Sequence, residues 1–419
     1  MKSWFNIYIF IALYCLGMVS CTDDSMTNGD TFDKVVVRLT LSVPGGDSRV
    51  GGDYQPGTTE QNPYDEDLDE NTTLQRYIQD VYILLFENGT NGQLLDFAKA
   101  TLNGDQQGDV TREIEGQFSQ RNGSLDIVVL ANLVQNGITP DFESLKGKTE
   151  KEVYKTLVYS YPEGGWTLGT GARYLPMWGK KSGVALDQRE INITPFNLYR
   201  GVAKMGVQVD AACTNFTMKE IYVYYVNSEG YCAAPNQTPS DDVHTQYAFP
   251  DVPASSTQLT TPIKYTLTVA QAKSFLEQIY LSESNNKTAG NGKQLKVVVG
   301  GVYTGPGLVA NDATSYYRID MEDDKDNDGV LAPFDIIRNH SYIFNITAVN
   351  NPGTPTPDEA LDEAVVGLTV VVEDWTDEYM RGVPDQYTLT TNKSVITYEA
   401  YNDKNGQTID IWTDYSDGW

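Results

Sequence analysis

The chain has 419 residues, enough for two to three domains of ordinary size, and its 57 Asp plus Glu against 30 Lys plus Arg give a formal net charge of -27. That excess repels phosphate backbones and anionic headgroups and argues against nucleic-acid binding, while two histidines, His244 and His340, leave imidazole triads and multi-histidine metal centres without material. With 36 Gly, 18 Pro and 27 Tyr, the balance favours strands and turns, as in a sandwich-like protein outside the cytoplasm.

Met1-Lys2 and the apolar run from Trp4 to Val19 are too short for a stable membrane span and have the form of a signal-peptide core. The run ends in Gly17-Met18-Val19-Ser20-Cys21, which resembles a bacterial lipobox, and Thr22-Asp23-Asp24 resembles the acidic leader of surface-exported lipoproteins. The expectation is a signal peptide over 1–20 and a palmitoylated Cys21 that anchors an outer-membrane lipoprotein precursor. Cys15 leaves with the signal. For Cys213 and Cys232, which flank strand-like segments, a bridge between neighbouring strands and two unbonded buried thiols are both open.

Val35, Val37, Leu39, Leu41 and Val43 alternate onto one face and predict a half-buried strand. The Pro/Gly-rich acidic stretch 44–71 is too long for an ordinary connection and reads as an exposed, cleavable loop. The apolar runs 80–86 and 125–132 predict central strands, and the spacing of Leu145, Val153, Leu157 and Val158 predicts one helix over 142–159. A second series of strands follows from Ile191: 202–209, 221–226, 295–303, 316–321, 341–349 and 365–372. The expected architecture is mostly β: β-sandwich domains over 50–194 and 195–378, divided near Thr194-Pro195, with little helix and a strand-bearing tail over 379–419.

Asp324, Asp326, Asp328 and Gly329, with Asp335 at the twelfth position, match the spacing of an oxygen-lined Ca²⁺ loop. Against that reading, the loop lies between strands and Pro333 interrupts it, so an acidic, solvated hairpin competes. Otherwise no cofactor is expected. His340 beside Arg338 and Asn339 suits a hydrogen-bonded structural role, and Tyr222, Tyr224 and Tyr225 divide between an adhesive patch and the core. The paired acids fall in loops, and nothing supports an enzyme.

Taken in order, these features resemble the fimbrillins, subunits of the type V pili of Bacteroides-group bacteria. The resemblance is carried by Cys21, the alternating strand before Arg49, and the strand pair 81–86 and 125–132. It continues through Tyr174-Leu175-Pro176-Met177-Trp178-Gly179, Leu198-Tyr199-Arg200-Gly201-Val202-Ala203-Lys204, Ile337-Arg338-Asn339-His340-Ser341-Tyr342, Pro352-Gly353-Thr354-Pro355 and Asp374-Trp375. It implies two transthyretin-like β-sandwiches and a pro-segment over 21–49. It also implies cleavage by a trypsin-like protease between Arg49 and Val50, then head-to-tail polymerisation with other fimbrial subunits by donor-strand exchange. The mature protein would lie in the fimbrium at the cell surface and support adhesion, with a host or glycan ligand. Arg38, the rival basic site, lies inside the strand. The tail departs from the pattern: Ile409, Ile411, Thr413 and Tyr415 alternate as a donor strand would, yet 387–419 resembles a truncated BACON-type carbohydrate-associated domain. A surface glycan-binding lipoprotein that never polymerises is the competing expectation.

Overall fold

The computed structural model describes residues 34–43, 74–104, 111–169, 173–237, 249–289, 294–306, 313–323, 332–362, 369–373, 389–391 and 411–413. In chain order, the first half holds β1 (Lys34–Ser42), β2 (Val81–Glu87), β3 (Leu94–Lys99), β4 (Thr101–Asn103), β5 (Thr111–Ser119), β6 (Arg121–Ala131), α1 (Phe142–Leu145), α2 (Glu150–Tyr154), β7 (Val158–Ser160), β8 (Met177–Leu186), β9 (Glu190–Asn197) and β10 (Tyr199–Arg200). These strands form one sheet in the order β4-β5-β1-β9 and a second in the order β10-β8-β6-β2-β3. The two pack closely: a Cβ added to Gly116 on β5 would come within 2.8 Å of Ile83 Cδ1 on β2.

Alternation and continuous runs divide the labour between the sheets. β1 sends every second side chain inward, as one buried face requires. In β2 and β6 the apolar runs Ile83–Phe86 and Ile127–Ala131 are buried throughout, because the second face of their sheet is covered as well. Part of that cover is aromatic, with Phe142 of α1 against Tyr82 and Phe97, and Tyr154 of α2 against Phe86 and Trp178.

The predicted helix 142–159 is two short helices and a strand. α1 ends before Gly147, whose φ of +80° is the left-handed conformation that stops a helix. Thr149 and Glu152 then form a reciprocal capping box that starts α2 afresh. The apolar residues beyond it continue into β7. The division expected near Thr194-Pro195 falls inside β9, and sheet membership changes between β10 and the strand beginning at Ala203. β9 is the outermost strand of its sheet, where a residue without an N–H is tolerated.

The second half contains β11 (Ala203–Val209), β12 (Phe216–Tyr224), β13 (Glu229–Tyr231), β14 (Ile263–Thr266), β15 (Ser274–Leu281), β16 (Lys296–Tyr303), β17 (Thr314–Asp320), β18 (Glu322–Asp323), β19 (Ala332–Pro333), β20 (Ser341–Ile346), α3 (Pro357–Asp362) and β21 (Thr369–Glu373). Its sheets run β15-β11-β20-β21 and β14-β12-β16-β17, with β18 and β19 paired separately. β22 (Leu389–Thr391) and β23 (Ile411–Thr413) pair antiparallel with each other. The two halves repeat one design: β1 lies antiparallel to β5 and parallel to β9, and β11 lies antiparallel to β15 and parallel to β20.

Candidate functional site

β1 is an interior strand drawn from the very start of the described chain. It pairs over its whole length with β5, from Lys34 opposite Ser119 to Ser42 opposite Thr111, and in parallel with β9 from Val36 opposite Glu190 to Ser42 opposite Asn197. Val35, Val37, Leu39, Leu41 and Val43 are all at most 2% exposed. Val37 lies opposite Gly116, so a close approach between the two sheets falls beside the middle of β1. Outside the core, the Arg38 guanidinium bonds Glu115 on β5 and Glu190 on β9, and the Thr40 and Thr194 hydroxyls lie 2.9 Å apart. Arg38 thus lies inside the strand ladder and is paired on both sides. Among the described residues β1 is the one neighbour of β9 within its sheet, so β1 connects β9 to β5.

The two halves meet through buried polar groups. The segments 198–204 and 337–342, singled out separately in the sequence, come together here. Arg200 N–H donates to Asn339 Oδ1 at 3.2 Å, Asn339 N–H to the Val202 carbonyl at 2.8 Å, and Lys204 N–H to the His340 carbonyl at 2.8 Å. Arg200 is fully buried and its Nε donates to the Gln75 carbonyl, so the residue that meets Asn339 is itself tied into the first half. Asn339 has a φ of +56°, a conformation that asparagine tolerates better than most residues. Arg338, also fully buried, donates from Nε (3.0 Å) and Nη2 (2.6 Å) to Glu283 Oε2 and from its main chain to Oε1. Burial raises the Glu283 carboxyl above its ordinary value, and the guanidinium offsets part of that rise. β7 and β13 add an antiparallel ladder across the joint, and the Tyr161 hydroxyl donates to the Tyr280 carbonyl at 2.6 Å.

The segment 174–179 belongs to the same joint. Gly201 N–H donates to the Pro176 carbonyl at 2.7 Å, and the Asn132 side-chain amide donates to the Leu175 and Tyr77 carbonyls, each at 2.8 Å. Gly179 is required by close packing, since an added Cβ would lie 2.1 Å from the Asn197 carbonyl oxygen.

Other sequence candidates fare differently. Cys21, Arg49, Val50, the loop 44–71, and Asp324, Asp326 and Asp328 lie outside the described residues. Asp335 is engaged with Lys287, accepting from its main-chain N–H at 2.9 Å. Among the described residues no cluster of His, Cys, Asp and Glu could hold a metal ion. The bridge considered for Cys213 and Cys232 is not formed, and both are buried free thiols. The Cys232 carbonyl lies beside Gly201 at the start of β11, whereas Cys213 follows the far end of that strand, roughly 20 Å away at the usual rise per residue. A disulfide needs Cα atoms within about 7 Å.

His340 is structural in its contacts, with Nδ1 2.8 Å from the Arg338 carbonyl oxygen. The tyrosine rings pack on one another: Tyr222 stands against Tyr224 and Tyr316 with Lys264 over its ring, and the Tyr224 hydroxyl donates to Asp358 of α3.

The fold is thus a tandem of β-sandwiches whose first member holds its opening strand in the middle of a sheet. Residues 57–246 match the family described as major fimbrial subunit protein (FimA), and residues 311–380 match the C-terminal region of fimbrillin, the major fimbrial subunit protein type IV. The chain belongs to the fimbrillin family of the Bacteroidales, whose fimbrial subunits are non-enzymatic structural proteins of the cell surface. No curated protein matches it.

Solved structures resemble it at low identity. A candidate cell-adhesion protein from Parabacteroides distasonis is 16% identical, with 82% of this chain and 99% of that one covered and a TM-score of 0.48. The tip fimbrial protein Mfa3 from Porphyromonas gingivalis, with a C-terminal truncation, is 12% identical, covering 82% and 100% with a TM-score of 0.47. A fimbrilin (FimA) from Porphyromonas gingivalis is 16% identical, covering 78% and 93% with a TM-score of 0.43.

Proposed function

We propose that the chain is a fimbrial subunit exported as a lipoprotein through Cys21, cut between Arg49 and Val50 by a trypsin-like protease, and polymerised by donor-strand exchange. The observation that carries this reading is the position of β1. It is the first strand of the described chain yet sheet-central: its backbone lies between β5 and β9, and five of its aliphatic side chains are buried in the core. A cut after Arg49 would leave β1 attached by no covalent bond to the rest of the sandwich. Its departure would uncover a groove with about 10 kcal/mol of apolar driving force, at roughly 2 kcal/mol per side chain. The unpaired N–H and C=O groups of β5 and β9 would add a backbone template for an incoming strand. Because the donor comes from a second copy or a neighbouring subunit, the contact propagates head to tail without closing.

Arg49→Ala tests the proposal. The variant is expected to be exported and folded with β1 in place, and to give no polymer. Polymer formed at the wild-type level would contradict it.

A further inference from the structure

A second arrangement in the first half has no part in strand exchange. Asp126 interrupts the apolar run of β6, and Lys180 lies on the neighbouring strand β8, where the ladder shifts register between Leu125 and Ile127. Lys180 Nζ stands 2.9 Å from Asp126 Oδ2 and 2.6 Å from Glu150 Oε2. The three side chains are 7%, 2% and 12% exposed. The Tyr154 hydroxyl donates to Glu150 Oε1 at 2.7 Å, and Gly183 N–H donates to Asp126 Oδ1 at 3.3 Å. The Tyr154 ring stands edge-on to Trp178 and Phe86, giving an aromatic wall. Two carboxylates therefore share one ammonium in a pocket largely closed to water, where isolated charge is costly.

We propose that Lys180 and Asp126 condense to a side-chain amide that joins β6 to β8, with Glu150 as the proton carrier. Nζ passes a proton through Glu150 to Asp126 Oδ2, giving a neutral amine and a carboxylic acid. The amine, whose Nζ stands 2.9 Å from Oδ2, attacks Asp126 Cγ, and negative charge gathers on Oδ1, against the Gly183 N–H. Glu150 takes a second proton from nitrogen and delivers it to Oδ2. The Cγ–Oδ2 bond breaks and one water leaves. Three ammonium protons are accounted for, one on the amide and two in the water, and no oxidant is needed. Burial lowers the affinity of Lys180 for its proton, but its bonds to Glu150 and Asp126 more than restore it. The condensation is accordingly a slow, single maturation event. Its product replaces a buried ion pair with a neutral bond across the sheet.

Tryptic mapping of the full, natively folded chain tests this directly. The expected product is a branched peptide joining residues 122–146 to 174–181, uncut after Lys180 and lighter than the two separate peptides by one water. Glu150→Gln should lose the branched species while keeping the wild-type circular-dichroism spectrum. Only linear peptides from aged, folded wild-type protein would overturn the proposal, as would a water loss that maps elsewhere. A branched peptide undiminished in Glu150→Gln would overturn the role given to Glu150.

Discussion

The Arg200 main-chain N–H donates to Asn339 Oδ1 across 139 residues of sequence, and this bond closes the joint between the two halves. Asn339 reaches it from a left-handed backbone conformation while its own N–H is held by the Val202 carbonyl. Replacing Asn339 with Val removes the acceptor and puts a β-branched residue where φ is +56°. A loss of roughly 2–4 kcal/mol is expected from the buried unpaired N–H and the backbone strain together, read as a lower urea midpoint.

Arg338 and Glu283 form the second fixture of the joint. Arg338→Met should cost about 3–5 kcal/mol, because it leaves a buried carboxylate alone, whereas the double variant Arg338→Met with Glu283→Leu should recover most of that loss. The single variant also carries a pH signature. Glu283 already has a raised pKa through burial, and losing the guanidinium raises it further. A carboxyl that binds its proton more tightly folded than unfolded contributes stability below the unfolded value near 4.3 and loses it as pH rises through the folded value. Arg338→Met should therefore lie closest to wild type in mild acid and fall away towards neutral pH in urea titrations.

Gly116→Val tests the inter-sheet contact opposite β1. The new side chain must displace Ile83, whose Cδ1 would be 2.8 Å from the added Cβ. About 1–3 kcal/mol of destabilisation is expected by thermal unfolding. A neutral result would mean that the sheets can separate at this point without cost.

How much of this was legible in the sequence differs from element to element. β1 could be read residue by residue, because period-2 alternation over nine positions leaves one solution. The break at Gly147 was legible only in hindsight, since the helical spacing on either side of it masked a glycine at the stop position. No fixed-period repeat stands out in the sequence, yet the halves share a strand arrangement; what they share is hydrogen-bonding order, which many side-chain sets satisfy. The motifs containing Arg200 and Asn339 were noticed singly, but their pairing is a long-range contact that no local pattern encodes. The Lys180–Asp126–Glu150 cluster was missed. Its signal was a lone acid in the apolar run Leu125–Leu130, which a buried partner had to explain.

Leu39→Ala tests the proposed removal of β1. In the uncut chain it empties part of the core and should cost about 2–5 kcal/mol in chemical denaturation. Once β1 has been cleaved away and replaced, the same substitution should leave the dissociation temperature of the polymer unchanged. A polymer weakened as much as the precursor would mean that β1 stays in the mature subunit.

The most direct measurement is the N-terminal sequence of the surface-exposed protein recovered from assembled fibres. The account predicts a start at Val50, with residues 21–49 absent, in oligomers that resist SDS. A lipidated monomer beginning at Cys21 and still carrying β1 would contradict it.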